Sequence, residues 1–261
     1  MSSPPLPAEI VPVAKRFYAD YVGITDPNEL CNHLNKIRAR LCEEGPIYRC
    51  IDQFKFAYSR MCQRFFYEKI LRIGKRQPSP WLFDIGCCTG IDLRQLMLDG
   101  YPAEYLVGTD ISRHYIDCGY DLCRDDQESL PIQFVVSNVF DSTFVDTMSA
   151  YHHQTAVVYA GSLIHLFHSS DLLRQFLQRV KWLLRPGGLL VGAHVASDHN
   201  VCVRRGSRGY KQYIGLIELQ HVLESEGFTD FEMQMDERLL QDDEPKDLIA
   251  FWLSFCAVYR L

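Results

Sequence analysis

The chain has 261 residues and a mass of 30.2 kDa, which suits one large α/β domain with an N-terminal addition. A hydrophobic content of 47% supports a substantial core, while a net charge of −6 and a pI near 5.8 argue against non-specific nucleic-acid or anionic-membrane binding. No apolar run reaches the length of a membrane span, and the start Met1-Ser2-Ser3-Pro4-Pro5 lacks the basic-then-apolar pattern of a secretory leader, so a cytoplasmic location is expected.

Residues 1–9 are proline-rich and expected to be poorly ordered or draped. Asp26-Pro27-Asn28-Glu29 is a helix start, with Asp as N-cap, Pro in the first turn and Glu at the third position. That helix is predicted to run to about Glu44 and stop at Gly45-Pro46. A second helix is predicted from about Ile51 to Ile73, rich in aromatics (Phe54, Phe56, Tyr58, Phe65, Phe66, Tyr67). The run 76–80 reads as a link, dividing the chain into an N-terminal helical extension or lid, 1–80, and a core, 81–261.

Beyond the link, apolar runs alternate with helical patterns, the signature of a doubly wound, mostly parallel sheet. Strands are predicted near 81–85, 105–109, 132–137, 155–160 and 188–194, and helices near 90–99, 112–124, 142–151, 170–184 and 213–226. Two further runs, 228–235 and 248–259, suggest an antiparallel edge hairpin. The ten cysteines include no C-x-x-C pair, so no metal site is expected and the thiols read as small packing residues.

The run Leu82-Phe83-Asp84-Ile85-Gly86-Cys87-Cys88-Thr89-Gly90 reads as a buried strand breaking into a glycine turn, with Thr89 available to cap the following helix. Cys88 stands where a dinucleotide fingerprint needs its second glycine, and Asp84 would repel a diphosphate. The same carboxylate suits an amino-acid ammonium, which points away from NAD and toward S-adenosylmethionine (SAM). Asp110, at the tip of the second strand, suits the hydroxyls of a ribose. Each aspartate is also explained as a helix cap when taken alone; together, flanking a glycine turn, they favour a cofactor.

The pattern Asp84-x-Gly86-x-x-x-Gly90 followed by Asp110 resembles motifs I and II of class I SAM-dependent methyltransferases. Arg185-Pro186-Gly187-Gly188-Leu189-Leu190 resembles the turn before that family's fifth strand. Gly86-Cys87-Cys88, Leu93-Arg94-Gln95-Leu96, Asp99-Gly100 and Leu106-x-Gly108-x-Asp110 resemble a fungal branch that includes carboxyl methyltransferases of meroterpenoid pathways such as those to austinol and andrastin. The resemblance implies a Rossmann-like fold with a seven-stranded sheet, helices on both faces and an N-terminal helical cap. It implies SAM as cofactor, with S-adenosylhomocysteine as product. It places Asp84, Gly86, Cys87, Gly90, Asp110 and Ile111 at the cofactor, Asn138 and Val139 at the adenine, and Ala160 and Gly161 at the methionine moiety.

For the acceptor, Tyr48, Arg49, Phe54 and His165 are the candidate binding residues, with the aromatic stretch 51–67 as an apolar lid. Arg49 suits a carboxylate of cofactor or substrate, and equally a solvated surface position. His165 follows the fourth strand, where the resemblance places it near the transferring methyl. His194 ends the fifth strand, where the branch is expected to carry an amide. A pair of histidines, His165 and His194, would fit general-base methylation of a hydroxyl, whereas an ionised carboxylate needs only positioning. The basic cluster Arg204, Arg205, Arg208 and Lys211 is a second candidate for attracting an anion, or a solvated patch.

The reading is therefore O-methylation of a small secondary metabolite, terpenoid or polyketide-derived, with no nucleic-acid or membrane partner. The alternative is a SAM-binding cyclase or isomerase that transfers no methyl. The sequence carries no signal of oligomeric state.

Overall fold

The computed structural model describes residues 10–44, 48–204, 210–238 and 244–260. The expected draping of 1–9, the Gly45-Pro46 helix stop, and Arg205 and Arg208 of the basic cluster lie outside these residues.

The N-terminal part starts with α1 (Ile10–Phe17), which runs into a π-helical turn at Tyr18–Val22. Helix α2 (Pro27–Leu41) begins as its spacing predicts: the Asp26 carboxylate accepts the amides of Asn28 and Glu29 at 3.0 and 2.8 Å. Its Leu30, Leu34, Ile37 and Leu41 form one buried face. The single helix expected over 51–73 is not there. The chain instead forms α3 (Arg49–Asp52), two 3₁₀ turns at Lys55–Ala57 and Met61–Gln63, and then α4 (Tyr67–Arg76). The interruption has two physical causes. Phe54 adopts a left-handed φ of 55°, and the amides of Arg60 and Met61 donate to the Asp92 carboxylate, both at 2.9 Å, rather than up a helix.

The core alternates strictly. Strand β1 (Leu82–Ile85) leads to α5 (Ile91–Leu98), β2 (Leu106–Asp110) to α6 (Arg113–Cys123), and β3 (Gln133–Val136) to the short α7 (Phe144–Thr147). Then come β4 (Thr155–Gly161), α8 (Ser170–Leu183) and β5 (Leu184–Ser197). The expected helix over 142–151 is only α7 followed by a 3₁₀ turn at Ser149–Tyr151.

After β5 the chain forms a hairpin of β6 (Val201–Arg204) and β7 (Tyr210–Gly215), which the sequence reading missed. Helix α9 (Leu216–Ser225), β8 (Phe228–Glu237) and β9 (Ala250–Tyr259) complete the order. Strands β1 to β5 are parallel in the order β3-β2-β1-β4-β5. Strand β9 lies antiparallel between β5 and β8, giving the seven-stranded Rossmann-like sheet. The β6–β7 hairpin adds two strands, joining β5 through Ala196↔Ile214 and Ser197↔Gly215.

One sheet face packs on α8 and α9 through Phe176, Val180, Leu219 and Val222. The other packs on α4 and α5 through Ile70, Leu71, Leu93 and Leu96. The N-terminal helices close over Ile91, Tyr115, Cys118 and Leu122, beside the carboxyl ends of β1 and β2, where open α/β sheets bind ligands. No helix among the described residues is long and apolar enough to cross a membrane.

Candidate active site at the carboxyl ends of the strands

The glycine turn after β1 places Gly86, Cys88 and Gly90 at φ values of 79°, 52° and 65°. A Cβ on Gly90 would stand 2.3 Å from the Phe134 ring, so both conformation and space demand glycine there. The amides of Gly86 and Cys87 donate to the Thr109 carbonyl, at 2.7 and 3.0 Å, which pins the turn to β2. Thr89 does not cap α5, as the sequence reading expected. Gly90 is the N-cap residue, and the Thr89 hydroxyl donates instead to the Phe56 carbonyl at 3.2 Å, fastening the N-terminal extension to the turn.

Asp110 holds the same turn from the other side. Its Oδ2 accepts from the Cys88 amide and its Oδ1 from the Ser112 amide, each at 2.9 Å. Burial raises its pKa, and the amides of Ser112, Cys88 and Ile111 oppose that rise. A carboxylate oxygen has more than one lone pair, so the group can shape the turn and accept further hydrogen bonds.

Beneath the turn, Arg94 is only 1% exposed. It forms a two-point ion pair with Asp125, Nε to Oδ2 at 2.7 Å and Nη2 to Oδ1 at 2.8 Å, and its Nη1 donates to the Thr89 carbonyl at 2.8 Å. Its guanidinium also lies over the Phe134 ring, 4.8 Å from the centroid. Tyr21 of the extension donates its hydroxyl to the same Asp125 at 2.8 Å, so the extension, the ion pair and the turn form one connected network.

A cleft with about 410 Å³ of empty space, its open mouth included, lies between the extension and the sheet. Asp84, Gly86, Cys87, Cys88 and Thr89 form its floor, Asp92 and Ile91 one wall, and Tyr159 and Gly161 the tip of β4. Cys50, Lys55, Phe56 and Arg60 of the extension form the roof. Asp84 is 2% exposed, and burial first, then the charges of Asp92 and Asp110, raise its pKa well above the usual carboxylate range, with Arg60 opposing. An incoming ammonium would relieve that strain by favouring the ionised form. Burial works against the charge of Arg60, but Tyr159, Cys50 and Asp92 oppose it, and its pKa is raised overall. Arg60 Nη1 donates to Ser162 Oγ at 2.8 Å, and Asp92 fixes the backbone beneath it by accepting from Ser59 Oγ at 2.6 Å.

Of the residues singled out in the sequence, Asp84, Gly86, Cys87 and Gly161 line this cleft together. Gly90 and Asp110 support its turn, and Ala160 is fully buried one residue below the β4 tip. Tyr48 packs edge-on against Tyr115 at 6.4 Å; its pKa is raised by burial and then by the charge of Asp110. Ile111 is 66% exposed beside Asp110, and Val139 is buried. The Asn138 side chain is engaged locally, Oδ1 accepting from the Phe140 amide at 3.0 Å and Nδ2 donating to Asp141 at 3.1 Å.

Of the residues expected on the acceptor side, Phe54, Arg49 and the two histidines do not line this cleft. Phe54 is 5% exposed, against Phe56 and under Arg38, so it is core of the extension and lines no cleft. Arg49 is half-buried in α3, and the arginine that lines the cleft is Arg60. The two histidines do not meet at the cleft. His165 is half-buried in a 3₁₀ turn at Ile164–Leu166, and His194 is wholly enclosed with its ring edge-on to Phe255 at 5.8 Å. Both His194 ring nitrogens lack a hydrogen-bond partner, and burial lowers its pKa to about 4. The alternation of β5 explains the result: Ala193 pairs with Gly161 at the cleft, so the next side chain turns to the opposite face.

Arg60, Lys55, Asp92 and Tyr159 went unnoticed in the sequence. The signal for the first two was their position, cations interrupting an aromatic stretch off helical period.

Residues 82–188 match the model of a methyltransferase domain. The chain carries a methyltransferase domain over these residues. Residues 3–57 match a second model, the meroterpenoid methyltransferase N-terminal domain. Among curated relatives, the chain is 32% identical over 172 residues to the asnovolin E/chermesin D methyltransferase of Aspergillus novofumigatus, covering 64% of this chain and 59% of that protein. It is 34% identical over 176 residues to the O-methyltransferase phiE of a fungal species, covering 67% and 57% respectively. The chain thus spans about three-fifths of the length of these relatives. Its fold is also that of the 1,6-didemethyltoxoflavin-N1-methyltransferase of Burkholderia thailandensis, with a TM-score of 0.56 at 16% identity over 91% of this chain and 92% of that one.

Proposed function

We propose that the protein binds SAM in this cleft and methylates an oxygen of a small secondary metabolite, with an ionised carboxylate as the acceptor that the geometry supports best. The carrying observation is the chemistry of the lining. Burial raises the pKa of Cys50, Cys87, Cys88 and Tyr159, so these groups stay protonated; Asp92 is engaged by three donors, Asp84 is assigned to the ammonium, and neither histidine is among the described lining residues. The lining offers no imidazole to deprotonate a hydroxyl, whereas a carboxylate arrives already ionised. The description of the matched N-terminal model, that of meroterpenoid methyltransferases, and the name of one relative, an O-methyltransferase, agree with this class.

When bound, the sulfonium supplies an activated methyl. The methyl would pass to an acceptor oxygen aligned with the carbon–sulfur bond, the sulfur leaving with the bonding pair. The protein's task is alignment. Asp84 takes the ammonium of the methionine moiety, Arg60 its carboxylate, and Asp110 the ribose hydroxyls; Asn138 and Val139 lie toward the adenine. The extension up to residue 80 acts as a lid on the core, excluding water from the cleft, and the reaction takes place in the cytoplasm.

Incubation with SAM and a panel of terpenoid and aromatic acids and phenols, followed by mass analysis, tests the reading. An added methyl with S-adenosylhomocysteine as co-product supports it; an isomerised product without methyl supports the cyclase alternative. Asp84→Asn is expected to weaken S-adenosylhomocysteine binding about 10- to 100-fold, because a charge-assisted hydrogen bond is worth about 1.5–3 kcal/mol. Calorimetric titration giving an unchanged affinity would strike Asp84 from the site.

A further inference from the structure

Lys55 sits at the cleft mouth on the first 3₁₀ turn of the extension. Its ammonium rests over the Trp252 ring, 4.9 Å from the centroid. Trp252 belongs to β9, which pairs with β5 through Val195↔Trp252, two residues past the Ala193 that pairs with Gly161. Strand spacing and rise therefore place Trp252 about 10 Å across the sheet from the β4 tip and about 7 Å further along the strands. That displacement runs from β2 through β1 and β4 and onward, away from the ribose end marked by Asp110. It is the side on which an acceptor must approach a methyl held over β1 and β4. Trp252 is half-buried there, packed on the satellite cluster of Val195, Val203, Tyr213 and Leu248 that the β6–β7 hairpin completes.

We propose that Lys55 and Trp252 form the acceptor subsite, with Lys55 holding the carboxylate before transfer and Trp252 carrying the apolar scaffold. This rests on the methyltransferase reading of the cleft and goes beyond it by assigning recognition and release to one pair. Lys55 binds one carboxylate oxygen while the other attacks. Transfer converts the anion to a neutral ester, so the charge that Lys55 held disappears in the reaction itself. The ammonium then regains its resting place over the Trp252 ring, a contact of the kind that compensates a partly desolvated cation. The subsite thus discriminates acid from ester, favouring substrate entry and product release without any change in fold. The hairpin matters because it backs Trp252; its cluster fixes the ring that receives the ammonium.

The test uses the full chain saturated with S-adenosylhomocysteine and titrated with abietic acid and methyl abietate, a terpenoid carboxylate and its own ester, read by tryptophan fluorescence. The expected result is that the acid binds at least ~10-fold more tightly than the ester, about 1.4 kcal/mol. Lys55→Met is expected to bring the ratio close to one and Lys55→Arg to preserve it. Equal binding of acid and ester to the unsubstituted protein, no binding of either, or the same ratio in Lys55→Met overturns the proposal. Calorimetry of S-adenosylhomocysteine with both proteins separates the two levels. If the unsubstituted protein does not bind it, the reading of the cleft fails. If both bind it equally and the acid–ester ratio does not respond to Lys55, only the subsite fails.

Discussion

Replacing Arg94 by Leu is expected to destabilise the fold by about 3–5 kcal/mol, the range for removing one partner of a buried ion pair. The cost has three sources. Asp125, 12% exposed at its side chain, keeps a charge in a poorly solvated position with only the Tyr21 hydroxyl left to answer it. The Thr89 carbonyl loses its donor, and the Phe134 ring loses the cation stacked on it. Urea unfolding with an unchanged slope is the measurement, since a shift of midpoint alone isolates stability from compactness. A loss below about 1 kcal/mol would show that solvent reaches Asp125 and that the pair behaves as an exposed one. The same variant is expected to bind S-adenosylhomocysteine more weakly in calorimetry, because the carbonyl released is part of the turn that forms the cleft floor.

That network also shows what the sequence made visible and what it hid. Asp84, Gly86, Gly90 and Asp110 were readable because their roles are local: a strand ends, a turn needs positive φ, and a carboxylate follows at the next strand tip. Arg94 was readable only as part of a family-like run. Its partner Asp125 lies beyond α6, and no periodicity links the two. The same holds for Asp92, whose carboxylate gathers three hydrogen bonds from Ser59, Arg60 and Met61. Those bonds break the helix that the aromatic stretch suggested, and they put Arg60 and Lys55 over the cleft in place of Arg49 and Phe54. Long-range capture of backbone amides leaves no trace in local spacing. The β6–β7 hairpin was hidden for a related reason: its inward residues Val203 and Tyr213 alternate with Cys202, Arg204 and Gln212 and share their face with the buried Lys211, so the run read as a polar loop.

The extension is consequently not a separable cap in physical terms. Tyr21 reaches Asp125, Phe56 accepts from Thr89, and the 59–61 backbone rests on Asp92, so each contact ends on the turn, on the helix that follows it, or on the Asp125 that Arg94 ties to the turn. Ordering the extension and ordering the cofactor turn share the same bonds. Cofactor binding should therefore protect both from hydrogen exchange together.

His194 supplies the second large effect, and it appears in the pH dependence of stability. Its pKa is lowered from 6.5 to about 4 by burial, with no charged neighbour contributing. Above pH 6.5 the ring is neutral in both states and stability is at its full value. As pH falls below 6.5 the unfolded chain takes up a proton that the native state refuses, so stability drops until the native ring also titrates near pH 4. The total loss from this residue is about 3 kcal/mol. His194→Leu removes it, so the stability difference between variant and parent, followed by urea unfolding at pH 7, 5.5 and 4.5, should grow by about that amount in favour of the variant. Carboxylates titrate alike in both proteins and cancel in the difference. The variant is also expected to match or exceed the parent at pH 7, because two buried ring nitrogens without partners give way to a hydrocarbon. A difference independent of pH would mean that His194 is accessible to solvent. Combined with loss of turnover in a folded His194→Leu protein, that outcome would return the general-base reading and with it a hydroxyl acceptor; retained turnover leaves the carboxylate in place.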